Sequence, residues 1–192
     1  MSNKPAGLSN DPLWPRAGGW PSPNEIVSGK KINAALVGVP ASQTSLSATN
    51  AHETPDAIRA ALYRYSPALM QDRGTADKNL RVDHAIVDLE ELTVADFGNV
   101  SDPDSPAGEA RTIALMADAA KAAELVIALG GDNSITVASA LAVWGSDLDT
   151  AGLITLDAHY DLRDGVSNGS PVRRLIEAGM NPERIVQIGI QD

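Results

Sequence analysis

The sequence predicts a three-layer α/β/α fold built on a parallel sheet. Three observations carry this. Short runs that are apolar throughout recur along the chain. Amphipathic helical stretches alternate with them. Proline, glycine and capping residues punctuate the junctions. Strands without polar alternation are buried on both faces, which in practice means a parallel sheet with helices on either side.

The elements follow in order. Residues 1–31 contain Pro5, Pro12, Pro15, Pro21, Pro23 and four glycines, and read as an irregular N-terminal arm. Trp14 and Trp20 lie within it. They either pin the arm onto a domain surface or form an oligomer contact. The domain proper is expected over 32–192. Ile32–Val39 is a buried-strand run closed by Pro40. Thr54 then Pro55 is an N-cap with proline at the first helical position. Ile58, Ala61, Leu62 and Tyr65 share one face, so this helix runs to about Tyr65. His84–Leu89 reads as the second strand. Ser105–Pro106 repeats the cap signal, with a stripe of Ile113, Met116, Ala117 and Ala120 behind it. Glu124–Leu129 is a third strand, Ser134–Trp144 a helix, and Gly152–Asp157 a fourth strand. Ser170–Pro171 starts a helix carrying Val172, Leu175 and Ile176, stopped by Gly179. Arg184–Ile190 is a fifth strand.

Composition narrows the function. At 192 residues, 43% hydrophobic and 21% charged, the chain can bury a sizeable core. No apolar run approaches the roughly 18 residues of a membrane span, and no signal-like start is present, so no membrane partner and a cytoplasmic location are expected. Cysteine is absent, which removes disulfides, thiolate metal sites and a thiol nucleophile. The formal net charge of −10 argues against a nucleic-acid partner. The acidity is uneven. Residues 1–96 hold 9 basic and 11 acidic groups, whereas residues 97–192 hold 6 and 14. Acidity gathered in one half is either a solvated surface or the carboxylates of a cation site.

In parallel sheets, ligands bind at the carboxyl ends of the strands. Two polar clusters fall there: Gly130-Gly131-Asp132-Asn133-Ser134 after the third strand, and Asp157-Ala158-His159-Tyr160-Asp161 after the fourth. Asp157, His159 and Asp161 stand at i, i+2 and i+4, so an extended backbone points all three the same way. Two carboxylates and an imidazole then suit a divalent ion such as Mn²⁺, Mg²⁺ or Zn²⁺. The structural alternative is that Asp157 caps the following turn, Asp161 is solvated and His159 is simply hydrogen-bonded. The Gly130-Gly131 pair permits a sharp turn and close approach to a ligand. No Gly-x-Gly-x-x-Gly and no nearby Walker-type lysine support a phosphate site. His52 and His84 read as structural. Ser134 has no placed base and sits in no Gly-x-Ser-x-Gly elbow.

The paired clusters resemble the first two signatures of the manganese ureohydrolases: arginase, agmatinase and formimidoylglutamase. Gly38-Val39-Pro40, Thr54-Pro55-Asp56-Ala57-Ile58-Arg59 and Asn168-Gly169-Ser170-Pro171 support the resemblance, which covers roughly residues 32–192. It implies an arginase-like sheet and a centre of two Mn²⁺ ions that activates a hydroxide against a guanidino or formimino carbon. The products are urea, or formamide in the formimidoylglutamase case. On this resemblance Asp157 bridges both metals, His159 binds one and Asp161 the other. Asp157 and His159 thereby become the catalytic centre. Asp132 orients a neighbouring ligand. The usual metal-binding histidine of the first signature is replaced by Asn133, whose neutral amide oxygen is a weaker ligand. Asn168 occupies a substrate-side place where a histidine often stands, which tilts the expectation towards a formimidoylglutamase-like or agmatinase-like enzyme.

A third family signature, Ser-x-Asp-x-Asp, does not occur in the 192 residues. The resemblance therefore implies an incomplete, amino-terminal part of the domain. It also implies that the third and fourth strands are not neighbours, so that this chain is not an independent folding unit. Expected partners are a small guanidino or formimino substrate and, for a full-length chain, further copies of itself. The alternative is a non-catalytic ureohydrolase-like fragment or partner subunit with an impaired metal site.

Overall fold

The computed structural model describes residues 7–8, 16–65 and 92–191. Among them five strands and four α-helices alternate: β1 (Ile32–Val39), α1 (Thr54–Leu62), β2 (Val94–Asn99), α2 (Gly108–Ala122), β3 (Ala123–Gly130), α3 (Ile135–Trp144), β4 (Leu153–Leu156), α4 (Pro171–Glu177) and β5 (Ile185–Ile188). All pairings are parallel. The strands form two sheets, ordered β2-β1-β3 and β4-β5. As the resemblance implies, β3 and β4 are not hydrogen-bonded to one another.

β1 is the central strand, and its VAL-rich run is buried along most of its length. Ala35, Val37 and Val39 pack with Met116 and Ala119 of α2, and Val126 and Ala128 of β3 join them. A second core joins Val137 and Ala140 of α3 to Leu175 of α4, with Leu148, Met180, Leu153 and Ile185. Helix α3 touches both cores, because Ile135 and Ala142 pack on the first. Thus α2, α3 and α4 cover one face.

The opposite face departs from expectation. Apolar strands predict cover on both sides, yet Leu125 and Ile127 of β3, Ile154 and Leu156 of β4, and Val186 and Ile188 of β5 are exposed. β4 and β5 therefore alternate between half-buried and exposed positions.

The second strand also differs. His84–Leu89 lies outside the described residues. The strand beside β1 is VADFGN, which lies outside the elements expected from sequence; Asp96, Gly98 and Asn99 interrupt its apolar pattern. Those polar residues serve Arg59 of α1, which is 7% exposed. The guanidinium donates to both Asp96 oxygens at 2.7 and 2.8 Å, to Asn99 Oδ1 at 2.5 Å and to the Gly98 carbonyl at 3.2 Å. A buried charge needs such partners. From the arm, Ala17 donates its N–H to the Tyr65 carbonyl, and Pro21 accepts from the Asp96 N–H. Trp20 is half-buried, and Trp14 lies outside the described residues.

Candidate metal centre

The carboxyl ends of β3 and β4 carry the two polar clusters, but the local backbone is not the extended one expected. β4 ends at Leu156. The chain bends at 158–159, and Asp161 has a φ of 53°. The i, i+2, i+4 alternation therefore does not apply beyond Asp157. Instead Asp157 Oδ1 accepts from the His159 N–H at 2.8 Å and stands 3.1 Å from His159 Nδ1. This is the turn-capping role that sequence allowed as the structural alternative.

The turn folds Asp161 inward while His159 stays out. Asp161 is 6% exposed, and the His159 ring is largely in solvent. Asp161 Oδ2 accepts from Asn133 Nδ2 at 2.6 Å. Its carboxyl is held above the usual range by burial first and by the negative charge of Asp157 second; the Asn133 hydrogen bond and the His159 ring oppose this. A buried carboxyl beside a second carboxylate is an environment a cation relieves.

The four donors thus stand as two contacting pairs, Asn133 with Asp161 and Asp157 with His159. Oxygen and imidazole donors suit Mn²⁺ in type. The geometry is only partly assembled: no group of three or more His, Asp or Glu among the described residues is gathered closely enough to hold an ion. Asn133 points its amide N–H, not its oxygen, at Asp161, and its Oδ1 accepts from Thr136 Oγ1 at 2.8 Å.

Asp132 does not touch these four. Its Oδ2 accepts from Ser45 Oγ at 2.7 Å and Thr44 Oγ1 at 3.4 Å, and its Oδ1 from the Ser134 N–H and hydroxyl. It ties the loop after β1 to the turn before α3, the turn that carries Asn133. Gly131 has the same loop as its neighbour. A Cβ on Gly131 would stand 1.9 Å from the Ala41 carbonyl oxygen, so close backbone approach to this loop, not to a ligand, requires glycine there. The loop reaches the second cluster too, because the Asn168 N–H donates to the Thr44 carbonyl at 3.4 Å. Asn168 Oδ1 is buried with no hydrogen-bond partner, a free acceptor where sequence expected a substrate contact. Sequence reasoning passed over Thr44 and Ser45; the run of hydroxyl residues over 42–49 is the only signal for them.

His52 is exposed, 3.9 Å from Glu53, and belongs to no such cluster. His84 lies outside the described residues. A cleft of about 1040 Å³ opens between the arm, α1 and β2. No residue of either polar cluster lines it, and the Arg59 on its wall is already held by Asp96 and Asn99. Size alone does not make it the site.

A model of the arginase family matches residues 32–192. The chain belongs to the arginase family. Among relatives, a formimidoylglutamase from Halalkalibacterium halodurans is 33% identical over 174 residues, covering 85% of this chain and 50% of that protein. The crystal structure of formimidoylglutamase from Bacillus subtilis superposes with a TM-score of 0.73 at 25% identity, covering 98% of this chain and 57% of that one. Trypanosoma cruzi formiminoglutamase, solved with Mn²⁺, superposes with a TM-score of 0.65 at 23% identity over 83% of this chain and 53% of that one. This arginase-family chain therefore spans about half the length of the relatives it matches.

Proposed function

We propose that this chain serves a manganese-dependent hydrolase that cleaves the C–N bond of a linear amidine, with a formimino substrate of the formimidoylglutamase type favoured over a guanidino one. The observation that carries the reading is that four oxygen and imidazole donors stand at the ends of β3 and β4 as two contacting pairs, Asn133 with Asp161 and Asp157 with His159. The naming of the relatives as formimidoylglutamases favours the formimino substrate. In this reading Asp157, His159 and Asp161, with Asn133 beside them, hold manganese. A bound pair of ions supplies a water of lowered pKa and a polarised substrate. Asp132 fixes the turn that carries Asn133. Asn168 Oδ1 takes an N–H of the amidine. The reaction adds water across the amidine: a formimino group leaves as formamide and a guanidino group as urea, the amine remaining on the other product. A small-molecule substrate, a cytoplasmic setting and self-association complete the proposal. Among the described residues no helix is long and apolar enough to cross a membrane.

A second reading, a subunit with an impaired metal site, draws on Asn133, whose two amide atoms are both engaged in protein contacts. Incubating Mn²⁺-loaded protein with N-formimino-L-glutamate, agmatine and arginine separates the readings. Formamide from the first substrate supports the proposal. Bound Mn²⁺ with urea and no formamide shifts it to a guanidino substrate. No bound Mn²⁺ and no product favours the second reading.

A further inference from the structure

We propose that Asn168-Gly169 is a site of covalent self-modification, where the Gly169 nitrogen closes onto the Asn168 carboxamide and the amide becomes a carboxylate. Asparagine is a thermolabile side chain. Its carboxamide carbon lies within reach of the next residue's backbone nitrogen, and a side chain on that residue obstructs the approach. Glycine removes the obstruction. Residues 168–169 are the sole Asn-Gly pair in the sequence. They stand in a turn between Asp161 and α4, outside every helix and strand.

The fold adds to what the dipeptide allows. Asn168 is half-buried, its Oδ1 has no partner, and among the described residues no hydrogen bond holds its carboxamide. By contrast Asn33, Asn99, Asn133 and Asn181 all have hydrogen-bonded carboxamides, and each precedes a residue with a side chain. The nucleophile is also placed. Among the described residues the Gly169 N–H meets no backbone carbonyl; it donates to Ser167 Oγ at 3.2 Å, which lies 2.8 Å from Ser170 Oγ. This hydroxyl pair is an acceptor already aligned with the proton that must leave. Arg163 runs alongside, since a Cβ on Gly169 would stand 2.9 Å from Arg163 Cδ and 3.4 Å from its Nε. A guanidinium beside this peptide favours the negative charge that develops on its nitrogen. The Arg163 N–H donates to the Gly169 carbonyl at 3.0 Å and the Asn168 N–H to the Thr44 carbonyl at 3.4 Å, so the backbone is held on both sides of the reacting bond. Reacting groups held together in one turn need no encounter.

The bonds balance with water as the only co-reactant. Gly169 N bonds to Asn168 Cγ, the Cγ–Nδ2 bond breaks, and the N–H proton leaves with Nδ2 as ammonia. The product is a cyclic imide. Water then opens the ring at either carbonyl. Attack at Cγ breaks the new Cγ–N bond and leaves aspartate. Attack at the Asn168 main-chain carbonyl breaks its bond to Gly169 N and leaves isoaspartate, with the chain running through Cγ. Either product carries a negative charge where the amide was neutral. That this charge alters the substrate-side contact rests on the proposed role of Asn168 Oδ1; the modification itself does not.

The test is a mass, and needs neither Mn²⁺ nor substrate. Residues 1–192 are incubated at neutral and mildly alkaline pH beside the free peptide 164–173, with circular dichroism to follow folding and the unincubated chain as the zero point. Trypsin cuts after Arg163 and Arg173, so residues 164–173 are released whole for mass spectrometry. The expected result is a mass gain equal to the exchange of NH for O, placed on Asn168 by fragmentation, with equimolar ammonia and a faster rate at the higher pH. Asn33, Asn99, Asn133 and Asn181 keep their mass. Asn168→Gln and Gly169→Ala suppress the gain, and Ser167→Ala slows it. Three results overturn the proposal: Asn168 that stays intact in the folded chain while the free peptide reacts, a gain spread equally over the hydrogen-bonded asparagines, or a Ser167→Ala chain that reacts as fast as wild type.

Discussion

Replacing Asp132 by alanine isolates the device that ties the loop after β1 to the turn carrying Asn133. Asp132 is 9% exposed and makes short hydrogen bonds with Ser45 Oγ at 2.7 Å and Ser134 Oγ at 2.5 Å; the Ser134 N–H at 3.1 Å adds a third. A hydrogen bond to a charged acceptor contributes about 1.5–3 kcal/mol net. Counting the two short hydroxyl contacts at the lower figure, Asp132→Ala costs about 3 kcal/mol. At roughly 2–4 °C per kcal/mol for a chain of this size, the Tm falls by about 6–12 °C. Asp132→Asn keeps the shape but sets an amide N–H against donors, so it falls between wild type and alanine. The assay is urea and thermal unfolding, with Mn²⁺ titration alongside. Because Asp132 touches none of the four donors, its loss weakens Mn²⁺ binding through position, by about 10–100-fold. A Tm within 2 °C of wild type, or Mn²⁺ affinity unchanged in a destabilised variant, refutes the reasoning.

Further outcomes follow from other residues. Arg59→Met strands the Asp96 carboxylate in a half-buried place and costs about 3–5 kcal/mol in urea unfolding, as for one-sided removal of a buried ion pair; Asp96→Asn with Arg59→Met recovers part of it. Because Asp161 has a raised folded-state pKa, its contribution is fully present below the ordinary carboxylate range and is lost as pH rises through the raised value. Asp161→Asn therefore raises the metal-free Tm at pH 7 and flattens its decline above pH 4, while weakening Mn²⁺ binding. An unchanged pH profile counts against the burial and Asp157 effects. Asn133→His replaces an amide by imidazole and tightens Mn²⁺ binding about tenfold, roughly 1.4 kcal/mol; identical calorimetric titrations of the two proteins exclude a ligand role for this position.

Where local chemistry decides the structure, the sequence is legible. The Ile32–Val39 strand, the helix starts at Pro55 and Pro171 and the Gly179 stop at φ 114° stand where the apolar run, proline and glycine put them, although the first helix begins one residue early, with Glu53 and not Thr54 at its cap, and Ser170 makes no side-chain capping bond. VADFGN was not legible as a strand, because its polar residues answer to Arg59, some 37 positions away. The site is legible in its residues and not in its geometry. Alternation assumes an extended backbone, and the Asx turn at Asp157 with the left-handed Asp161 replaces it. The Asp132–Ser45 contact is equally hidden, since it joins residues 87 positions apart.

The most direct test of a manganese centre at these strand ends is Mn²⁺ electron paramagnetic resonance on dialysed protein, wild type beside His159→Ala and Asp161→Asn. The account predicts stoichiometric bound Mn²⁺ in the wild type and its loss, or at least a tenfold weakening, in both variants. Wild-type protein that binds no Mn²⁺, or variants that bind it as tightly as wild type, would contradict it.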